Sequence, residues 1–318
     1  MHLATRHSHA LIFRPGADVL ATSLADGKLV LQCPMPWLAG PDAQVLAVGA
    51  DPISTDDGWL LHDGATLAGV LVGGSEAPLE EETLRLYQRL FALTGGLNRY
   101  RIWNFVPHIN AVVAGEENYV AFNSGRHRAF ADHFGGIHRH DVSAASAVGT
   151  TSGPPALAFI AGPATVEHFE NPLQTPSADY PERYGRSAPL FARGSRVREA
   201  GGTTCWHLAG TASIRSSDTI GGDFATQLET TLENIGRMLE VMAVPAEREA
   251  AWKVFLRDRR DLAFCRQRLG QLYPGEVDRM MFVEADICRR DLLLEIEGIF
   301  HESQPPTPSP SLPDPPPP

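Results

Sequence analysis

A long amphipathic helix pattern occurs twice in the 318 residues, and short strand patterns flank each copy. In the first copy, apolar and threonine side chains recur every three or four residues over 79–93, and Gly95 and Gly96 end the pattern. In the second copy the same spacing runs from Phe224 to Leu239. The apolar stripe of each helix has to be buried against a sheet. The sequence therefore predicts an α+β fold of two similar halves, in which mixed sheets pack on long helices.

Runs rich in aromatic and β-branched residues predict the strands of each half. An additional helix is expected around Lys253 to Leu272. The predicted strands cover residues 59–64, 67–74 and 99–106 in the first half, and 204–214, 280–287 and 292–299 in the second half.

A section rich in glycine, proline and serine, residues 141–205, lies between the two halves. Its aromatic and arginine residues distinguish it from a flexible linker, so we expect an ordered, loop-rich region in which binding residues lie. The predicted division is an N-terminal half over 1–152, a C-terminal half over 153–302 and a disordered proline-rich tail over 303–318. A docking peptide for a proline-binding partner is the alternative for that tail.

Composition narrows the classes of partner. The formal net charge of -11 argues against nucleic acid and means that an anionic ligand would need a local group of arginines. No stretch is apolar for long enough to span a membrane, and no secretory signal is evident at the N-terminus. The cysteines are far apart in sequence, which predicts reduced thiols in a cytoplasmic protein. Neither an HExxH nor a GxGxxG motif occurs, so neither a metal nor a cofactor is expected.

The last predicted strand carries the clearest chemical pattern. Because successive side chains in a strand point to opposite faces, Leu294 and Ile296 share one face and Glu295 and Glu297 share the other. A carboxyl group in apolar surroundings has a raised pKa and can act as a general acid near neutral pH. The alternative is that both glutamates meet solvent on an edge strand.

This strand, together with HLAGTASI (residues 207–214) and the second long helix, resembles the YjgF/RidA family, whose members end in a similar strand with an EIEA-like motif. The resemblance implies that Glu295 faces a site, which in that family lies between subunits, and that a trimer-like homo-oligomer is possible. The arginine that the family carries upstream is replaced here by Met280, which argues against the enamine and imine hydrolysis of its small members. A YjgF/RidA-like enamine-handling or ligand-binding protein is the alternative of another class.

Longer motifs resemble the chorismatases, which have a YjgF-like, chorismate mutase-like fold. The resemblance runs from about Trp59 to Gly298, and the small YjgF proteins lack its central arginine- and tyrosine-containing section. The motifs are RYRIWNFVPHIN (99–110), NYVAFNSGRHRAF (118–130), ENPLQTPSADYPERYG (170–185), SAPLFARG (187–194) and AGTASI (209–214).

This resemblance implies that the substrate is chorismate, a dianion whose enolpyruvyl ether breaks when its methylene carbon is protonated. Glu295 occupies the position of the family's acid. Arg193 and Arg126 lie in the family-like motifs and would hold carboxylates, because a guanidinium binds a carboxylate through two parallel hydrogen bonds. Tyr184 could add a hydroxyl donor.

The chorismatases that this sequence resembles divide into types according to the product that they form. The type that forms 3-hydroxybenzoate has a cysteine seven residues before the acid and a glycine in the GTAS region, and Cys288 and Gly210 match these positions. A thiol could exchange a proton with the ring hydroxyl or orient it, although a buried thiol can also be simple packing. We therefore expect pyruvate and 3-hydroxybenzoate, with 4-hydroxybenzoate as a possible second ring product. The alternative is a hydrolytic chorismatase that gives 3,4-dihydroxycyclohexa-1,5-dienoate.

Overall fold

The computed structural model describes residues 9–199 and 201–302, so the predicted tail at 303–318 lies outside the described residues. In this part of the chain the α-helices are α1 (Leu79–Leu93), α2 (Asn118–Phe134), α3 (Phe224–Val241) and α4 (Leu262–Leu272). The strands are β1 (His9–Pro15), β2 (Ala21–Ala25), β3 (Lys28–Cys33), β4 (Trp37–Ala39), β5 (Gln44–Thr55), β6 (Gly58–Asp63), β7 (Thr66–Val72), β8 (Asn98–Pro107), β9 (Val112–Val113), β10 (Glu116–Glu117), β11 (Ala144–Thr150), β12 (Ala156–Gly162), β13 (Thr165–Phe169), β14 (Gly194–Arg198), β15 (Thr204–Thr211), β16 (Ile214–Arg215), β17 (Asp218–Thr219), β18 (Arg248–Leu256), β19 (Met281–Glu284) and β20 (Leu294–Glu302).

Two large mixed sheets organise the described residues. The first has nine strands in the order β11-β8-β12-β7-β6-β5-β1-β3-β2, and the second has seven in the order β13-β14-β15-β20-β18-β19-β4. Most neighbouring strands are antiparallel, whereas β1 runs parallel to β3, β11 runs parallel to β8 and β18 runs parallel to β19. These sheets confirm the predicted α+β class.

Each sheet packs one face on its own pair of helices. On the first sheet, Phe91 of α1 and Phe130 of α2 lie in one apolar cluster with Ile102 of β8. On the second sheet, Leu228 and Ile235 of α3 cluster with the outward face of β20, as the spacing of the two long helices predicts.

The remaining faces of the two sheets pack against each other. Phe13 and Trp103 of the first sheet share a buried cluster with Phe255 and Ile299 of the second. The strand β4, from the N-terminal part of the chain, pairs with β19 and forms an edge of the second sheet. The two halves therefore enclose a common interior.

The prediction of an additional helix around Lys253 to Leu272 is wrong for the first part of that range. Residues up to Leu256 belong to β18, which pairs with both β19 and β20, and the helix begins only at Leu262. The residues from Trp252 to Leu256 are all buried. A short apolar run of this kind has no periodicity that separates a buried strand from a buried helix.

The section 141–205 is loop-rich only in part. It begins with β11 and β12, which flank β8, and its irregular portion is residues 170–193. Because β12 pairs with β7 and β8, the chain leaves the first sheet after Gly162, beyond the expected division at residue 152. The irregular residues thus join strands of the second sheet, β13 and β14.

Candidate active site

The strand β20 lies inside the seven-stranded sheet, between β15 and β18. Leu294 and Ile296 pack towards α3, and Glu295 and Glu297 are on the opposite face, where each is only 3% exposed. The alternative in which both glutamates meet solvent on an edge strand is therefore wrong. Two carboxyl groups are instead buried between the two sheets.

Glu297 is surrounded by donors. Its Oε1 accepts hydrogen bonds from Lys253 Nζ at 2.8 Å and from Trp103 Nε1 at 3.1 Å. Its Oε2 accepts from Arg101 Nη2 at 2.7 Å and from Ser146 Oγ at 2.5 Å. Burial opposes ionisation, but Lys253 and Arg101 outweigh it and hold the pKa of Glu297 below its usual value. Glu297 is therefore a fixed anion.

Glu295 has the opposite surroundings. Its Oε1 is buried and has no hydrogen-bond partner among the described residues. Burial, and secondarily the negative charge of Glu297, raise the pKa of Glu295 to about 8. At neutral pH this carboxyl group is therefore protonated, and a protonated carboxyl group can act as a general acid.

Gly210 on β15 leaves room for that carboxyl group. A Cβ atom built on Gly210 would lie 2.0 Å from Glu295 Oε1 and 2.5 Å from its Cδ. Both distances are far inside contact range, so any side chain at this position would displace the Glu295 carboxyl group. The glycine at position 210 therefore determines where the Glu295 carboxyl group can lie.

A cavity of about 570 Å³ lies on the Glu295 side of this cluster. All of the predicted site residues line it, and they come from distant parts of the chain. They are Arg126 on α2, Tyr184 and Arg193 in the irregular residues 170–193, Gly210 on β15, Cys288 before β20 and Glu295 on β20.

Arg126 is buried in the cavity wall without a compensating charge. It is 2% exposed, its Nη2 donates to Asn123 Oδ1 at 2.7 Å, and its Nε has no partner. Among the described residues, no carboxylate forms an ion pair with it. A buried cation without a counterion is costly to the fold, and an anionic ligand would compensate it.

Arg193 is similarly buried, at 3% exposure. Its Nη2 donates to Tyr180 Oη at 2.6 Å, whereas its Nε lies 3.9 Å from Glu170 Oε2, too far for a good hydrogen bond. Burial raises the pKa of Glu170 to about 7. Arg193 is therefore only weakly neutralised by the protein and is oriented by Tyr180.

Tyr184 contributes its ring to the cavity. Its hydroxyl donates to Asp218 Oδ1 at 2.5 Å, and the Arg289 guanidinium lies 3.8 Å from the centroid of its ring. Arg289 also lines the cavity, and its Nη2 is buried without a partner among the described residues. The expected hydroxyl donor is thus engaged by Asp218, and Arg289 is the nearby group with a free donor.

Cys288 is a half-buried thiol beside the cavity. Burial, and secondarily the nearby Glu295, raise its pKa to about 12. At neutral pH the group is therefore a neutral thiol, which can donate a hydrogen bond but does not serve as a thiolate base.

Several cavity residues were not predicted from sequence. Ser146 has no periodic or motif signal, whereas Tyr180 lies within the motif 170–185 and could have been found there. Arg289 and Arg290, by contrast, lie between Cys288 and β20, and this pair of arginines in an acidic chain could have been noticed. The further unpredicted lining residues that bear charges or hydroxyls are Glu117, Tyr119, Glu182, Arg183, Asp218, Thr219 and Asp291.

Across residues 9–199 and 201–302, no three His, Cys, Asp or Glu side chains are grouped so that they could hold a metal ion. In the same residues, no helix is both long and apolar enough to cross a membrane.

Comparison with known proteins points to one family. The family described as "Chorismatase FkbO/Hyg5-like, N-terminal" matches residues 50–161. A 3-hydroxybenzoate synthase of Streptomyces hygroscopicus is 32% identical over 238 residues, which are 69% of this chain and 69% of that protein. A chorismatase of Streptomyces rapamycinicus is 32% identical over 261 residues, 75% of this chain and 77% of that protein.

The structure leads to the same family. A chorismatase crystal structure superposes with a TM-score of 0.81 at 27% identity, over 94% of this chain and 95% of that one. The agreement in backbone fold thus extends over both sheets.

Glu295→Gln should stabilise the folded protein increasingly as the pH rises. Because the pKa of Glu295 is raised from 4.5 to about 8, the folded state holds this proton more tightly than the unfolded state does. The free energy of unfolding therefore falls as the pH rises between these values, and glutamine avoids that loss, on the order of 5 kcal/mol over the full shift. Urea unfolding at about pH 5 and about pH 9 measures the difference. The exposed Glu233→Gln is the control, and a pH-independent effect of Glu295→Gln would contradict the burial of an ionisable acid.

Proposed function

The chain belongs to the chorismatase family, and we propose that it cleaves chorismate to pyruvate and 3-hydroxybenzoate. The observation that carries this proposal is a carboxyl group, Glu295, that stays protonated at neutral pH and faces a cavity containing buried, weakly neutralised arginines. The two requirements of the reaction are a proton for the enol ether and cations for a dianion. The cavity combines both.

The first step is a proton transfer from Glu295 to the methylene carbon of the enolpyruvyl group. The carbon–carbon double bond supplies the electron pair, so a methyl group forms and an oxocarbenium ion is left at the ether carbon. The C3–O bond then breaks more easily because its oxygen leaves as the carbonyl oxygen of pyruvate. A neutral carboxyl group with a pKa near the working pH suits this transfer.

In the second step the neighbouring 4-hydroxyl oxygen attacks C3 as pyruvate leaves. Its proton returns to the Glu295 carboxylate, and an arene-oxide-like intermediate forms. Opening of its C4–O bond and loss of the proton at C3 give 3-hydroxybenzoate, so the reaction consumes no water. The hydrolytic alternative adds one water and gives the diene diol.

The arginines of the cavity bind the two carboxylates of chorismate. Both arginines, Arg126 and Arg193, are buried; Arg126 has no carboxylate partner among the described residues, and Arg193 has only Glu170 at 3.9 Å, so neither must give up a close ion pair to take a substrate carboxylate. Arg289, stacked on Tyr184, adds a third positive charge to the cavity. The local cations overcome the repulsion expected from a chain with a net charge of -11.

Cys288 and Gly210 support the choice of 3-hydroxybenzoate. As a neutral thiol beside the cavity, Cys288 can donate a hydrogen bond to the ring hydroxyl and orient it towards C3. Gly210 fixes where the Glu295 carboxyl group can lie. The 32% identity to a 3-hydroxybenzoate synthase is matched by 32% identity to a chorismatase, so the choice of product rests on these two residues.

Glu295→Gln should lower the rate of pyruvate release by at least about 100-fold, because the amide keeps the shape but donates no proton to carbon. A coupled lactate dehydrogenase assay at saturating chorismate measures the rate, and Glu233→Gln on the exposed face of α3 should keep the wild-type rate. An unchanged rate in Glu295→Gln would remove this residue from the mechanism.

Arg193→Ala should raise KM for chorismate by about 100-fold, because a substrate carboxylate loses its buried partner, at a cost of about 3 kcal/mol. Arg193→Lys should restore only part of the affinity, because the two parallel hydrogen bonds are lost. The matched control is Arg237→Ala, which removes an exposed charge on α3. If KM and kcat stay at wild-type values, Arg193 holds no carboxylate and Arg126 becomes the better candidate.

Cys288→Ala should still consume chorismate and release pyruvate, but its ring product should shift from 3-hydroxybenzoate towards the diene diol or 4-hydroxybenzoate. Adding Gly210→Ala should increase the shift and also slow turnover, because the new methyl group displaces the Glu295 carboxyl group. The two effects need not add, since both residues border one cavity. Chromatography at matched turnover gives the product ratio, with Cys205→Ala as the control outside the cavity. An unchanged ratio in the double variant would leave Cys288 as packing alone.

A further inference from the structure

Glu297 shares a face of β20 with Glu295 but does not line the cavity. It therefore has no access to the substrate, although it is as deeply buried as the acid. A purely structural role would not require an ionised carboxylate at position 297, because a buried ion pair can often be replaced by apolar side chains without loss of stability. The position of Glu297 beside Glu295 therefore suggests a role other than stabilising the fold.

The partners of Glu297 fix both its charge and its position. They come from three strands of the two facing sheets: Arg101 and Trp103 from β8, Ser146 from β11 and Lys253 from β18. Because four donors, two of them cationic, bind the Glu297 carboxylate, both its protonation and its rotation are unfavourable. The negative charge is thus immobile.

We propose that Glu297 is a positioning residue for chorismate cleavage, whose fixed negative charge keeps the neighbouring Glu295 carboxyl group in its proton-bearing form. This inference rests on the proposed function of Glu295 as the acid. It assigns a role in the reaction to a residue that never touches the substrate.

The charges around Glu295 show why such a residue is needed. Arg101 on β8 and Arg193, just before β14, both favour the ionised form of Glu295. Cys288 carries no charge at neutral pH. Of the groups around Glu295, Glu297 is the anion that opposes them.

The surroundings of Glu297 itself are also defined. Lys253 and Arg101 are its cationic partners, and His207 on β15 is neutral because burial lowers its pKa to about 3. Removing the Glu297 charge would leave these cations uncompensated. They would then favour ionisation of Glu295, and the acid would lose its proton at lower pH.

The test is an infrared titration of the Glu295 carboxyl group, identified as the protonated C=O band that is missing from Glu295→Gln. In the wild type the band should disappear with a midpoint near pH 8. In Glu297→Gln the midpoint should fall by at least about 1 pH unit. Because Glu297→Gln leaves Lys253 and Arg101 unpaired and could fail to fold, the double variant Lys253→Met, Glu297→Gln is measured beside it and should show a fall in the same direction.

Glu297→Asp is the charge-conserving control and should keep the wild-type midpoint even if its rate is lower. Pyruvate release by Glu297→Gln should be low at about pH 8 and recover at about pH 6, which a merely damaged fold would not do. An unchanged midpoint in both charge-removing variants would overturn the inference. Absence of pyruvate release from the wild type would instead overturn the proposed function, while the titration would still decide the role of Glu297.

Discussion

Two carboxyl groups that are buried side by side on one strand do not both ionise at low cost, because each carries a desolvation penalty and repels the other. In this chain the conflict is resolved by unequal partners. Glu297 accepts hydrogen bonds from Lys253, Arg101, Ser146 and Trp103. Oε1 of Glu295 accepts no hydrogen bond from the described residues. The asymmetry leaves one fixed anion and one proton donor, and the proposed chemistry depends on that difference.

The architecture explains why both halves of the chain are needed. The acid lies on a strand of the second sheet, but the cation and hydroxyl that fix its neighbour, Arg101 and Ser146, come from the first sheet. The cavity is likewise shared, with Arg126 from α2 and Arg193 from the irregular residues 170–193. A small one-sheet protein with the same last strand would lack these partners. The face-to-face packing of the two sheets therefore creates the site, and single motifs do not.

Sequence patterns located what depends on local periodicity. The two long helices, the alternation on β20 and the motif residues that line the cavity follow from spacing and from the family resemblance. The partners of Glu297 could not be predicted because they meet through pairing of distant strands, and Lys253 was assigned to a helix because its apolar neighbours have no distinctive period. The role of Gly210 also needed coordinates, since only the 2.0 Å approach of a Cβ atom to Glu295 shows what the glycine avoids.

A chorismatase site with a protonated Glu295 should convert chorismate without adding water. Incubation of the wild-type protein with chorismate, followed by chromatographic identification and quantification of every product, tests it most directly. We expect equal amounts of pyruvate and aromatic product, with 3-hydroxybenzoate dominant. Formation of the diene diol alone would contradict the assignment of the ring step, and unconsumed chorismate would contradict the proposed function.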